Sequence, residues 1–413
     1  MHTGPPISLP LQLRALNALL PLARGIGAFE IREDPSWYEE KARQRTGLHD
    51  FGDYDLRSPL TRLLYTLKHE THLSLFGRIG VHSMIGRNLD NNLLATQAFR
   101  DHPELVDVDV DAPIIIVCTP RTGSTLLHNL LACHARVRAP RMWELHRPCP
   151  PPRPEREADD PRIRASDREF GMYYRLVPEM RAIHFFRPLG IEECIHLFGN
   201  NFTCRTSFTT MANITSYTRW VMAHDLTAAY RNYRKNLQIL KLHYPDRRLV
   251  LKSPAHLLCL RELAAVFPRA KVVHLHRDPV SAAGSFCSLT EAVQITLRNE
   301  VDVAEIGRTW DQIWTPALLG ADAIQRQTGM EVLHLNYTDL VTDPRGTARR
   351  VFQSFGWSIP ETLDERINAY LEANPKGRYG RHTYDLRRYG LESHALYAQT
   401  APYIERFEVP REH

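Results

Sequence analysis

Four short apolar runs, each followed by a helix-compatible stretch, constrain this chain more than any other feature. They are IIIVC at Ile114 to Cys118, RLVLK at Arg248 to Lys252, KVVHLH at Lys271 to His276 and EVLHLNY at Glu331 to Tyr337. Runs of this length and composition, alternating with helical segments, predict an α/β fold: a central parallel sheet flanked by helices on both faces. The segment from Arg248 to Ser288 is the clearest unit, with a strand, a helix from about Ala255 to Phe267, a stop at Pro268, a second strand and a second helix. Ligands of such sheets collect at the carboxyl ends of the strands.

Before the first run the texture differs. Residues 1–105 mix apolar and charged positions at three-to-four spacing and read as a mainly helical N-terminal extension; after the turn-like connector DVDVDAP, residues 106–413 read as the α/β domain. Leu11, Leu13, Leu16, Leu19 and Leu20 fall near helical spacing and are expected to pack an amphipathic helix onto that domain, with a membrane-surface anchor as the rival reading. The N-terminus lacks the charged start of a signal peptide, and no apolar run is long enough for a membrane-spanning helix. The proline-rich RPCPPPRPEREADDPR, Arg147 to Arg162, reads as a surface excursion or lid-like loop.

A formal charge of +5, from 52 basic and 47 acidic residues, suits a small anionic ligand better than nucleic acid, which is not expected as a partner. Seven scattered cysteines without C-x-x-C pairs favour reduced thiols and a cytoplasmic location. The histidines are too dispersed to suggest a metal site.

The first run delivers the turn TPRTGSTLL, and a helix begins near Gly123 to Thr125. Unpaired N–H groups and the positive end of the helix dipole make an anion the expected guest, helped by the hydroxyls of Thr122, Ser124 and Thr125 and by the forked cation of Arg121. The turn lacks the second glycine and the lysine of a nucleoside-triphosphate loop.

These residues resemble the sulfotransferases that use 3'-phosphoadenosine 5'-phosphosulfate (PAPS), in their bacterial and carbohydrate-type branch. PRTGST, Pro120 to Thr125, is similar to the family's 5'-phosphosulfate loop, and HLHRDPVSAAGSF supplies Arg277 and Ser285 at the spacing of its 3'-phosphate pair. LNYTDLVTDP resembles the element that brings a tyrosine, here Tyr337, near the adenine. PKGRYG resembles the closing glycine loop through Lys376, Gly377 and Gly380, with Pro375 where the family has arginine. Leu126 stands where many members carry an adenine-stacking tryptophan.

The resemblance implies the P-loop-like sulfotransferase fold and a reaction that moves a sulfuryl group from PAPS to a hydroxyl of a small-molecule, lipid or carbohydrate acceptor, releasing adenosine 3',5'-bisphosphate. No metal is expected. The donor site would comprise Arg121, Thr122, Gly123, Ser124, Thr125, Leu126, Arg277, Ser285, Tyr337, Lys376 and Gly377. Arg121 is expected at the leaving oxygen, Lys252 at the sulfuryl or leaving oxygens, and His256 as the general base, with Glu144 as its rival. Glu192 and Glu193 interrupt an apolar stretch that could line the acceptor pocket, although a helix first turn is the favoured account of them. Aromatic residues at Met172 to Tyr174 and His184 to Phe186 fit a greasy acceptor or simple core packing. A kinase-like phosphotransferase and a silent nucleotide-binding scaffold are the competing functions. Peripheral membrane contact and the oligomeric state are left open.

Overall fold

Strand β1 (Ile114–Val117) lies at the centre of a five-stranded sheet in the computed structural model, which describes residues 9–412 apart from 179, 184 and 376–384. The other strands among the described residues are β2 (Val137–Arg138), β3 (Arg248–Lys252), β4 (Lys271–His276) and β5 (Glu331–Asn336), in the order β2-β3-β1-β4-β5 and all parallel. All four predicted runs are strands. The Arg248 to Ser288 unit has its two strands and two helices, with a 3-10 turn over Pro254–Cys259 before the helix Leu260–Val266. Its strands are not neighbours, however, because β1 lies between β3 and β4.

That order places β1 where the chain switches from one side of the sheet to the other, so the loops after β1, β3 and β4 open at one crevice. The period of two along β1 feeds both faces: Ile115 and Val117 join one core cluster, Ile114 and Ile116 the other. The first cluster also contains Ile31, Tyr38, Leu60, Leu64, Ile85 and Leu89. The N-terminal helices α1 (Leu11–Asn17), α2 (Leu20–Gly25), α3 (Pro35–Thr46), α4 (Arg57–His69) and α5 (Leu75–Asp101) therefore do not stand apart, since the last three bury their apolar positions in the core that covers the sheet. Each Ile or Leu so buried contributes roughly 1.5–3 kcal/mol.

Two sequence expectations need correction. Only Leu13 and Leu20 of the five N-terminal leucines are buried, and Leu11 and Leu19 point outward. The proline-rich segment is not a loose lid. Arg162 lies over the Trp143 ring, pairs with Asp160 at 2.7 Å and donates to the carbonyls of Arg147 and Pro150, fastening the segment's start and end to the body of the protein. Among the described residues no helix is long and apolar enough to cross a membrane.

Candidate active site

The turn after β1 leads into helix α6 (Ser124–Ala132), whose N-cap is Gly123. The N–H groups of the first turn have no partners within the helix, so they are oriented to receive an anion. Two residues hold the turn in left-handed backbone conformations, Gly123 at φ 80° and Arg121 at φ 69°. The first is possible only for glycine on steric grounds as well, because a Cβ there would come within 2.8 Å of the Tyr337 ring. The second is unusual for a non-glycine residue, and such conformations concentrate at functional sites.

Each neighbouring strand contributes one element at its carboxyl end. From β4, Arg277 donates to the Arg121 carbonyl at 2.6 Å and lies 4.1 Å from the centroid of the Tyr337 ring, which follows β5. Asp278 and Pro279 serve as N-cap and first residue of the helix Pro279–Leu297, as their residue types predict. One helical stretch further, the Ser285 hydroxyl accepts from Arg121 Nε at 3.0 Å. Arg121, Gly123, Arg277, Ser285 and Tyr337 thus lie together. The Arg121 side chain reaches the Arg277 and Ser285 side of the turn. Leu126 is half-buried against the apolar cluster beneath α6. Thr122 is buried, its hydroxyl donating to the Thr119 carbonyl at 2.5 Å.

A second charge pair grips Arg277. The Glu412 carboxylate receives its Nε at 2.6 Å and its terminal N–H at 2.8 Å, while the Glu412 N–H donates to Asp278 at 2.7 Å. The C-terminal segment therefore lays an anion on the arginine that resembles a 3'-phosphate binder. Lys376, Gly377 and Gly380 lie outside the described residues.

From β3, the Lys252 ammonium reaches Thr125 Oγ1 at 3.2 Å and Glu193 Oε1 at 2.7 Å. Its side chain is 1% exposed and that of Glu193 is 23% exposed. Burial is the largest influence on the lysine and opposes its charge, but the carboxylates of Glu193 and Glu192 outweigh it and raise its pKa. Lys252 is therefore a fixed cation touching the turn on one side and a partly open carboxylate on the other. Glu193 precedes the short helix Ile195–Gly199 rather than standing in its first turn, so the helix-dipole account does not hold for it.

The two predicted bases occupy other places. His256 is fully buried, with Nδ1 held by the Tyr230 hydroxyl at 2.7 Å and Nε2 by Cys194 at 3.2 Å. Burial pushes its pKa down to about 3. Glu144 is also fully buried: it accepts from the two terminal nitrogens of Arg138 at 2.5 and 3.3 Å and from the Arg141 N–H at 2.7 Å, closing a capping box on helix α7 (Met142–His146). With these partners in place, neither side chain has a free face for an acceptor.

The metal reading is also revised in one respect, because three histidines do converge. Pairing of β4 with β5 brings His274, His276 and His334 within 4.8 Å of one another. The nearly parallel rings of His276 and His334 meet with Nε2 and Nδ1 3.0 Å apart, and the Tyr403 hydroxyl holds the other nitrogen of His276. A hydrogen bond between these two nitrogens, one of them protonated, accounts for the contact.

The pairing of Glu193 with Lys252 is what sequence reasoning missed. Its signal was the acidic pair breaking an apolar stretch, but its lysine partner is 59 positions away.

A profile of the sulfotransferase family matches residues 113–361. Over 132 residues the chain is 29% identical to omega-hydroxy-beta-dihydromenaquinone-9 sulfotransferase Stf3 of Mycobacterium bovis and of Mycobacterium tuberculosis, a match covering 30% of this chain and 33% of those proteins. The chain thus spans about a third of the length of these curated relatives. Similarity in three dimensions is broader. The crystal structure of sulfotransferase STF1 from M. tuberculosis H37Rv aligns with a TM-score of 0.80 at 28% identity, over 90% of this chain and 100% of that one. Sulfotransferase STF9 from Mycobacterium avium aligns with a TM-score of 0.84 at 26% identity, over 92% and 98%.

Proposed function

The chain belongs to the sulfotransferase family, and from that premise we propose that it transfers a sulfuryl group from PAPS to the hydroxyl of an apolar alcohol, with Glu193 as general base. The observation that carries this reading is the double contact of Lys252, whose ammonium touches Thr125 on the donor turn and Glu193 beyond it. In this scheme the Glu193 carboxylate takes the acceptor's proton as the acceptor oxygen bonds to sulfur. The bond from sulfur to the bridging phosphate oxygen breaks, and that oxygen leaves with the electron pair on adenosine 3',5'-bisphosphate. Charge accumulates on the leaving oxygen and is neutralised by Lys252 and the N–H groups of the turn, a preorganised arrangement.

Arg121 takes a different part from the one its sequence position suggests. Joined to Ser285, it belongs with Arg277 in holding the donor's phosphates, and Lys252 replaces it at the leaving oxygen. Tyr337, packed on Gly123 and under Arg277, is assigned to the adenosine. The apolar acceptor is favoured by Phe170, Tyr174 and Phe186, which cluster together, and by the effect of the Glu192 charge on Tyr174, which puts that cluster near the acidic pair. The relative's name, with its omega-hydroxylated menaquinone, agrees with such an acceptor.

Calorimetry tests the donor half. Adenosine 3',5'-bisphosphate is expected to bind at least about tenfold more tightly than adenosine 5'-monophosphate, the contribution of one charged hydrogen-bond set. Label from sulfur-labelled PAPS is expected to appear on long-chain alcohols. Indifference to the 3'-phosphate together with tight ATP binding would replace this reading with a phosphotransferase.

A further inference from the structure

Three histidines meet on one face of the sheet, and one of their nitrogens is left over. His274 and His276 stand two apart on β4 and so share a face, and the register sets His334 of β5 beside His274. A ring nitrogen from each lies within 4.8 Å of the other two. The sulfuryl transfer drawn through Lys252 and Glu193 uses none of these rings.

The hydrogen bond between His276 Nε2 and His334 Nδ1, 3.0 Å long, serves one nitrogen on each of two rings. It does nothing for the third. His274 is fully buried, its Nδ1 meets the Gln325 amide at 3.1 Å, and its Nε2 has no hydrogen-bond partner among the described residues. A buried ring nitrogen in that position has lost its water without compensation, and such an orphan calls for an explanation.

The surrounding groups fit a ligand set. A histidine that binds a metal does so through one nitrogen, while the other gives its proton to an acceptor. His276 Nδ1 lies 3.1 Å from the Tyr403 hydroxyl, whose oxygen can serve as that acceptor. The Gln325 Oε1 is itself buried without a partner, and a half-turn of the amide places it on His274 Nδ1. Oε1 then accepts the Nδ1 proton, and Nε2 carries the free lone pair. In a tetrahedron with zinc-to-nitrogen bonds of about 2.0–2.1 Å, two nitrogens stand roughly 3.3–3.4 Å apart. An ion in place of the shared proton therefore asks His276 and His334 to part by only roughly 0.3–0.4 Å.

Charge and access agree. Asp322, on helix Thr315–Thr328 with Gln325, acts on His274 and His334 through its negative charge, the sign a cation needs. Arg406, which pairs with Asp322 at 3.2 Å, acts on His334 in the opposite sense but less strongly. The Phe407 ring stacks on His276 with centroids 4.1 Å apart, while His334 is only half-buried and leaves a way in. Three imidazoles without a thiolate suit a borderline divalent ion such as zinc.

We propose that His274 Nε2, His276 Nε2 and His334 Nδ1 bind one divalent ion of the zinc class, with a water completing the tetrahedron. The ion ties β4 to β5 and, through Tyr403, to the helix Ser393–Phe407. It holds the end of β4 from which Arg277 follows and touches no reacting atom.

Tag-free full-length protein, stripped with a chelator and titrated with Co²⁺, tests the proposal without donor or acceptor, so its outcome is independent of the sulfuryl-transfer reading. One equivalent per chain is expected, with the intense visible absorption of four-coordinate cobalt, since no other three such groups converge among the described residues. His334→Gln should weaken Co²⁺ binding at least about a hundredfold, and Gln325→Leu about tenfold through the lost partner of His274. An unchanged circular dichroism spectrum certifies that each variant folds. X-ray absorption of the zinc-loaded wild type needs no variant and should show a shell of nitrogen and oxygen with the outer scattering of three imidazoles. A folded wild type that takes up no equivalent of Co²⁺ or Zn²⁺ overturns the proposal, as does binding that His334→Gln leaves unchanged or a first shell containing sulfur.

Discussion

Glu144 and Glu193 each face a buried cation, yet their surroundings give them different work. Glu144 is fully buried and has three N–H donors from Arg138 and Arg141 on its carboxylate, so its lone pairs are committed to holding α7 against β2. Glu193 keeps 23% of its side chain exposed and meets Lys252, which in turn touches Thr125 after β1. An ion pair sealed on all sides is a strut. One left open at the mouth of a crevice is a group that can exchange a proton with something arriving from outside.

The largest expected effect tests the open pair. Glu193→Gln should lower kcat by about a hundredfold or more, with the affinity for adenosine 3',5'-bisphosphate nearly unchanged, because a lost general base acts on the transfer step alone. Lys252→Met should cost a similar factor through loss of charge neutralisation at the leaving oxygen. Steady-state kinetics beside calorimetry separates the two quantities, and a Glu193→Gln enzyme keeping most of its turnover would erase the distinction between the two glutamates.

The sealed pair should respond in stability instead. Glu144→Ala strands the Arg138 guanidinium in a buried site, and the expected loss is about 3–5 kcal/mol in urea unfolding. Turnover per folded molecule should stay near the wild-type value. A stable Glu144→Ala protein with little activity would restore Glu144 as the base.

A third pair lies between these extremes. Arg277 and Glu412 are 18% and 26% exposed, and the carboxylate occupies the arginine to which the proposed function gives the donor's phosphates. Glu412→Gln should tighten the bisphosphate by about threefold, the scale of a partly exposed ion pair removed from competition. Weaker binding in this variant would mean that Glu412 orders the arginine rather than competing for it.

How much of this was readable from the chain follows from the range of each interaction. The strands, the turn after β1 and the Asp278-Pro279 helix start are written in runs of neighbouring residues, where local sterics and hydrogen bonding decide the outcome. That Arg277 stands at a strand-helix junction with Ser285 early in the helix was legible too, because eight positions within one strand-helix unit keep a fixed geometry. His256 could not be judged this way. Its predicted role depended on standing open at the end of β3, whereas Tyr230 and Cys194, from two distant segments, close over both nitrogens. The N-terminal leucines show the same limit, since helical spacing states which residues share a face but not which face meets the core.

The sequence by itself determined the alternating α/β plan and the strand-to-helix turn after β1, since both arise from short-range pattern. Tertiary structure decided which charged side chains would be sealed and which left open. The order β2-β3-β1-β4-β5 brings the ends of β1 and β3 side by side and sets Lys252 against Thr125, while the segment before Cys194 supplies Glu193 from outside the sheet. Burial and the number of donors around a carboxylate are properties of that assembled neighbourhood, and they separate the open glutamate from the sealed one.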